Sequence, residues 1–158
     1  MEMESQQRIP AQREVVWAAL NDTAVLQAAM PGCESFERVE ENQFTAQVTT
    51  KVGPVKARFK FKVNLTDIDP PAGYTIQGEG QGGVAGFAKG AASVQLSEIE
   101  QDTILAYQVK ASVGGKLAQL GARLIDGTAK KLADEFFNNF IEIVSGTAES
   151  EESGSPEE

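Results

Sequence analysis

Between residues 58 and 65 the chain alternates without a break. Phe59, Phe61, Val63 and Leu65 fall on one side, and Arg58, Lys60, Lys62 and Asn64 on the other. Successive side chains of an extended strand point to opposite faces, so this run is a strand with one dry and one wet face. Such strands belong to antiparallel sheets, which can leave one face to water. The period of two persists from Glu34 to about Val113. Phe44, Ala46, Val48, Thr50 and Val52 alternate until Gly53-Pro54 turns the chain, and Tyr74-Thr75-Ile76-Gln77 resumes a strand after the turn cluster Asp69-Pro70-Pro71-Ala72-Gly73. A hairpin at Gln101-Asp102 joins two more strands, with Val94 and Leu96 inward on the first and Leu105, Tyr107 and Val109 on the second.

After Gly114-Gly115 the period becomes helical. Leu117, Leu120, Leu124, Leu132, Phe136, Phe140 and Val144 recur at three- and four-residue steps, with Ile125, Phe137 and Ile141 beside them. The spacing predicts one helix over Lys116 to Val144, roughly 43 Å long, with Gly121 and Gly127 as points of bending. Near the start, Pro10 opens a short helix that puts Val16, Trp17 and Leu20 on one stripe. Asn21-Asp22-Thr23 then caps a second helix, Ala24 to Met30, stopped by Pro31-Gly32. A curved sheet with a single long helix must lay that helix in its concave face. The expected fold is therefore α+β: a curved seven-stranded antiparallel sheet wrapped around a long C-terminal helix, with two short helices after strand 1. A sheet so curved is not expected to collapse fully onto one helix, which leaves a cavity.

Composition narrows the chemistry. There is no histidine, so neither a histidine-based nucleophile system nor an imidazole-ligated metal site can be built. The single cysteine, Cys33, excludes an internal disulfide and a multi-cysteine metal site, and no basic neighbour activates it. No carboxylate pair can be placed across a cleft, so no catalytic residue and no metal ligand is expected. The net charge of −9 argues against nucleic acid, whose phosphates demand a basic face. Five glutamates and no Lys or Arg fall in the last thirteen residues, so 146–158 is expected to be an acidic disordered tail after a domain of 1–145. The acidic start, Met1-Glu2-Met3-Glu4, is unlike a secretory signal, and a cytoplasmic location is expected.

Residues 78 to 90 read Gly-Glu-Gly-Gln-Gly-Gly-Val-Ala-Gly-Phe-Ala-Lys-Gly. Gly78, Gly80 and Gly83 satisfy the spacing of a dinucleotide fingerprint, but that motif needs a helix to begin here, and strand period resumes instead. The plain reading is a bulged or flexible hairpin connection. The functional one is a mobile flap over a pocket mouth, with Val84 and Phe87 as apolar contacts.

Several blocks together carry a resemblance. Val16-Trp17-Ala18-Ala19-Leu20-Asn21-Asp22, Met30-Pro31-Gly32-Cys33-Glu34 and Lys51-Val52-Gly53-Pro54-Val55-Lys56-Ala57-Arg58-Phe59 resemble the CoxG subunit family of carbon monoxide dehydrogenase. So do Gly82 to Ala92, Gly114 to Gly121 and Phe136-Phe137-Asn138-Asn139-Phe140. The resemblance implies the helix-grip (START-like, SRPBCC) superfamily. It also implies a cytoplasmic accessory protein of molybdenum hydroxylases of the carbon monoxide dehydrogenase type, recruiting the enzyme to the inner face of the membrane or carrying an isoprenoid quinone such as menaquinone. The resemblance also implies that some relatives carry a long C-terminal extension that can end in a membrane-seeking segment. The acidic tail expected here would be repelled by anionic lipid, so direct anchoring by the C-terminus is not expected.

A quinone or lipid needs mostly aliphatic and aromatic walls. The expected ligand-binding residues are Phe59, Phe61, Val63, Val94, Tyr107, Val109, Leu117, Leu120, Gly121 and Leu124, with Met30, Val84 and Phe87 at the entrance. For each of them alone, ordinary core packing is the plainer explanation. No intrinsic cofactor is expected. Lys56, Arg58, Lys60 and Lys62 form a basic stripe, either a solvated outer face or a dock for an acidic enzyme or lipid headgroups. Two alternatives stand beside the carrier: a polyketide cyclase/aromatase-like enzyme using Tyr107, and an assembly factor whose pocket stays empty.

Overall fold

The alternating run lies within β4 (Val55–Asp69), the longest strand of one seven-stranded sheet. The computed structural model describes residues 1–154, with the side chains of 147–154 excepted. In chain order the elements are β1 (Glu2–Ile9), α1 (Arg13–Leu20), α2 (Thr23–Ala29), β2 (Cys33–Glu40), β3 (Gln43–Val52), β4 and β5 (Gly73–Gln81). A 3₁₀ turn (Gly83–Ala85) leads to β6 (Phe87–Ile99) and β7 (Asp102–Gly114), and a second (Gly115–Leu120) to α3 (Ala122–Gly154). The sheet order is β1-β7-β6-β5-β4-β3-β2, antiparallel throughout. The expected α+β architecture is the observed one.

Three element boundaries differ from expectation. The first helix begins at Arg13 rather than Pro10, because Pro10-Ala11 close a tight turn after β1 and the buried Thr103 hydroxyl donates to the Ala11 carbonyl at 2.8 Å. The long helix begins at Ala122, not Lys116: Gly115 (φ 72°) and Gly121 (φ 91°) lie in the left-handed region and confine residues 115–120 to a separate 3₁₀ turn. At its other end α3 continues to Gly154, beyond the expected helix end at Val144, while 155–158, the end of the expected tail, lie outside the described residues. The second helix is as read, with the Asp22 carboxylate accepting from the backbone N–H groups of Ala24 and Val25.

The concave face is divided into two ends. At one, Phe137, Phe140 and Val144 of α3 press against Ile9, Val16, Leu96, Leu105 and Tyr107. Tyr107 stacks on Phe137 at 5.2 Å, and Trp17 meets Tyr74 at 5.3 Å. Asn139 donates to the Ala29 carbonyl at 3.0 Å, tying α3 to the end of α2. A smaller cluster of Val52, Phe59, Ala85 and Leu117 occupies the other end.

Candidate ligand-binding cavity

Between that smaller cluster and the first turns of α3 lies a cavity of about 670 Å³. Its existence follows from which residues share the concave face. In register across the sheet, Val63, Gly78, Gly90 and Ala111 form one row, and Phe61, Gly80, Ala88 and Val113 the next. Five of these eight positions are Gly or Ala, so the middle strands offer almost no side chain to fill the space beneath the helix. Above them α3 presents Ala122, Ile125, Ala129 and Leu132, again small or mid-sized. Val52, Phe59, Leu117 and Ala118 close one side. Polar groups are few on the walls: Thr50, Ser112, Thr128, Asp126 and Glu2.

The glycines of residues 78–82 therefore have a steric purpose. A Cβ on Gly80 would run into the Phe61 ring, and one on Gly82 into the Phe59 ring. Those rings occupy the space that side chains at Gly80 and Gly82 would otherwise take. Gly78 and Gly80 belong to β5 itself, and no helix follows them. Gly80→Val is expected to push the Phe61 ring off its seat and to destabilise the fold by about 1–3 kcal/mol. Urea unfolding of the variant checks this.

Of the residues expected to bind a ligand, Phe59, Phe61, Leu117 and Gly121 are on the cavity wall. The others are elsewhere. Val94 and Tyr107 are buried in the sealed end of the core, and Val109 packs against it. Tyr107 is held by its stacking on Phe137, and burial pushes its hydroxyl above the ordinary tyrosine range, against a hydrogen bond with Ser5. Val63 shares the concave face but stops short of the cavity walls, and Leu120 packs into the smaller cluster. Leu124 turns out to the β3–β4 turn, against Gly53. Met30 is the C-cap of α2, beside the sealed end. Phe87 takes the convex face, its ring covering Gly114, because the alternation of β6 gives the concave position to Ala88. Val84 is 89% exposed and covers nothing, so the flap reading of these two residues is not supported by their placement. Cys33 donates its Sγ–H to the Ser35 carbonyl at 3.2 Å, and burial pushes its thiol up, away from reactivity.

The sequence profile of the carbon monoxide dehydrogenase CoxG subunit matches residues 6–145, nearly the whole chain. The chain belongs to the CoxG family. A conserved protein from Geobacillus kaustophilus is similar over 93% of this chain and 97% of its own, with 30% identity and a TM-score of 0.88. Two more distant likenesses concern the fold alone. A Thermus thermophilus protein shares 15% identity over 94% of this chain and 99% of its own, with a TM-score of 0.69. The ZhuI aromatase/cyclase from a Streptomyces species shares 12% identity over 92% of this chain and 93% of its own, with a TM-score of 0.62. No curated protein sequence matches. This CoxG-family chain thus has the helix-grip fold, and the family's name joins it to carbon monoxide dehydrogenase. Among the described residues no helix is long and apolar enough to cross a membrane.

Proposed function

We propose that this protein is a non-catalytic carrier of a hydrophobic ligand, an isoprenoid quinone such as menaquinone or a lipid. In this role it links a molybdenum hydroxylase of the carbon monoxide dehydrogenase type to the membrane or its quinone pool. The observation that supports the reading is the cavity of about 670 Å³ walled by Val52, Phe59, Phe61, Leu117, Ile125 and Leu132. Its size is that of a small-molecule site, and such sites combine apolar walls with a few polar groups that set orientation. The flat rings of Phe59 and Phe61 suit an aromatic quinone head, and the Gly and Ala floor leaves room for an isoprenoid tail. Thr50 and Thr128 are the lining residues whose hydroxyls suit a quinone carbonyl. Family membership supports the choice of partner. The cyclase alternative leans on Tyr107, whose ring is locked against Phe137 in the sealed end.

Protein purified without detergent from a menaquinone-producing host is expected to release an isoprenoid quinone or lipid on solvent extraction, detected by mass spectrometry in proportion to protein. Extracts that match a mock purification, from several such hosts, would count against the carrier.

A further inference from the structure

Charge on this chain is sorted by position. Segments 42–66, 80–97 and 103–125 hold nine of the 14 Lys and Arg and none of the 23 Asp and Glu. The fold gathers one turn from each segment: the β3–β4 turn at Gly53-Pro54, the 3₁₀ turn Gly83–Ala85, and the 3₁₀ turn Gly115–Leu120 with the start of α3. Leu124 lies against Gly53, and Gly86 and Gly115 approach so closely that a Cβ on either would crowd the other's backbone. Lys51, Lys56, Lys89, Lys116 and Arg123 surround this end, all exposed.

Two observations suggest that folding alone does not explain the arrangement. Lys51 and Lys56 are direct register partners beside the Gly53-Pro54 turn, where like charges repel. Of the nine cations only Arg58 takes an ion pair among the described residues, with Glu34 at 2.9 Å. Other acids border these segments: Glu2, the register partner of Lys110, Glu79, between Lys62 and Lys89 in the sheet register, and Asp126 on the cavity wall, with only Glu79 and Asp126 next to cations of the gathered end. Amid the cations stand exposed apolar side chains: Val84 at 89%, Phe87 at 43% and Leu124 at 37%. Val84 is displayed on an ordered turn, with the Gly82 N–H donating to the Gly86 carbonyl at 2.8 Å and Ala85 pinned in the smaller core cluster.

We propose that this end of the molecule is a docking face for an anionic lipid bilayer. Val84 and Phe87 enter the headgroup–acyl boundary while Lys51, Lys56, Lys89, Lys116 and Arg123 lie on the headgroups. Apolar groups ringed by cations match that boundary, where an anionic layer overlies hydrocarbon. An acidic protein would match the cations but leave Val84 without a recess of its own. The docked end carries Val52, Leu117, Ala118 and Gly121, so the cavity lies directly behind it. The proposal deepens the carrier reading and rests on it for its purpose, since cargo would then pass between bilayer and cavity without crossing water.

The test is flotation of the full-length protein with vesicles of phosphatidylglycerol and phosphatidylcholine in equal parts, against phosphatidylcholine alone. A chain of net charge −9 has no overall attraction to an anionic surface, so binding reports the local face. The wild type is expected to float with the mixed vesicles and not with the neutral ones, and to be released by salt. Combined Lys51→Ser, Lys56→Ser and Lys116→Ser is expected to weaken binding roughly a hundredfold, and Val84→Ser roughly tenfold. Each variant should melt as the wild type does. Wild type that ignores both vesicles, or the triple variant binding undiminished, would overturn the proposal; the former would turn the same face toward an acidic protein. A menaquinone titration in detergent, run in parallel, separates the two ideas. Menaquinone bound without flotation defeats the docking face alone, and flotation without menaquinone binding defeats the cargo alone.

Discussion

Replacing Ala88 with Phe is expected to leave the protein folded and to weaken its hold on a short-chain menaquinone analogue tenfold or more, about 1.4 kcal/mol. Ala88 is a concave-face residue of β6 on the cavity wall, and its side chain ends at Cβ. A phenyl ring there grows into empty space, so it meets none of the overpacking that destabilises a filled core. Phenylalanine also suits a strand, and filling a hollow tends to raise stability. The ring would take volume that the ligand needs. Ala129→Phe approaches from the α3 wall and is expected to act alike. Both are checked by titration with the analogue alongside a thermal melt. The same pair separates a carrier from an empty tether. A tether should keep its hydroxylase association and lose nothing else, whereas a carrier should lose quinone binding.

Phe140→Ala is expected to do the reverse. Phe140 is fully buried at the sealed end, stacked on Phe136 at 5.6 Å, and removing it leaves a hole that a packed core closes only in part. The expected loss is about 3–5 kcal/mol, which in a domain of this size lowers Tm by roughly 10 °C. Whatever remains folded should bind the analogue as before, because Phe140 is not on the cavity wall. Leu132→Ala, in the same helix but facing the hollow, should cost less stability and more binding. Denaturant melts of the two variants side by side check the contrast.

These opposite expectations reflect how unevenly the structure could be read from the residues. Periodicity alone carries the sheet, the two short helices and the apolar stripe of α3, because burial of one face forces those periods. What it does not carry is a boundary set by backbone geometry. Leu117 and Leu120 continue the helical spacing, yet Gly115 and Gly121 hold positive φ and cut them off from α3. For the cavity, large residues drew attention and small ones formed the site. The parity was present in the sequence: with Val94 and Leu96 inward on β6, Ala88 and Gly90 are inward too, and with Leu105 and Tyr107 inward on β7, so is Ala111. Following those even and odd positions back to the glycine-rich stretch would have found the floor, and would have sent Phe87 to the convex face. Which end of the concave face is filled and which is hollow depends on where α3 lies, and no local pattern fixes that.

The central claim is that the space between the glycine-lined strands and the first turns of α3 holds an apolar guest. A crystal structure of the protein with a menaquinone analogue tests it most directly. The account predicts density for the quinone head beside Phe59 and Phe61, with the tail running under Ala122, Ala129 and Leu132. Side chains filling that space, with the analogue bound elsewhere on the surface or not at all, would contradict it.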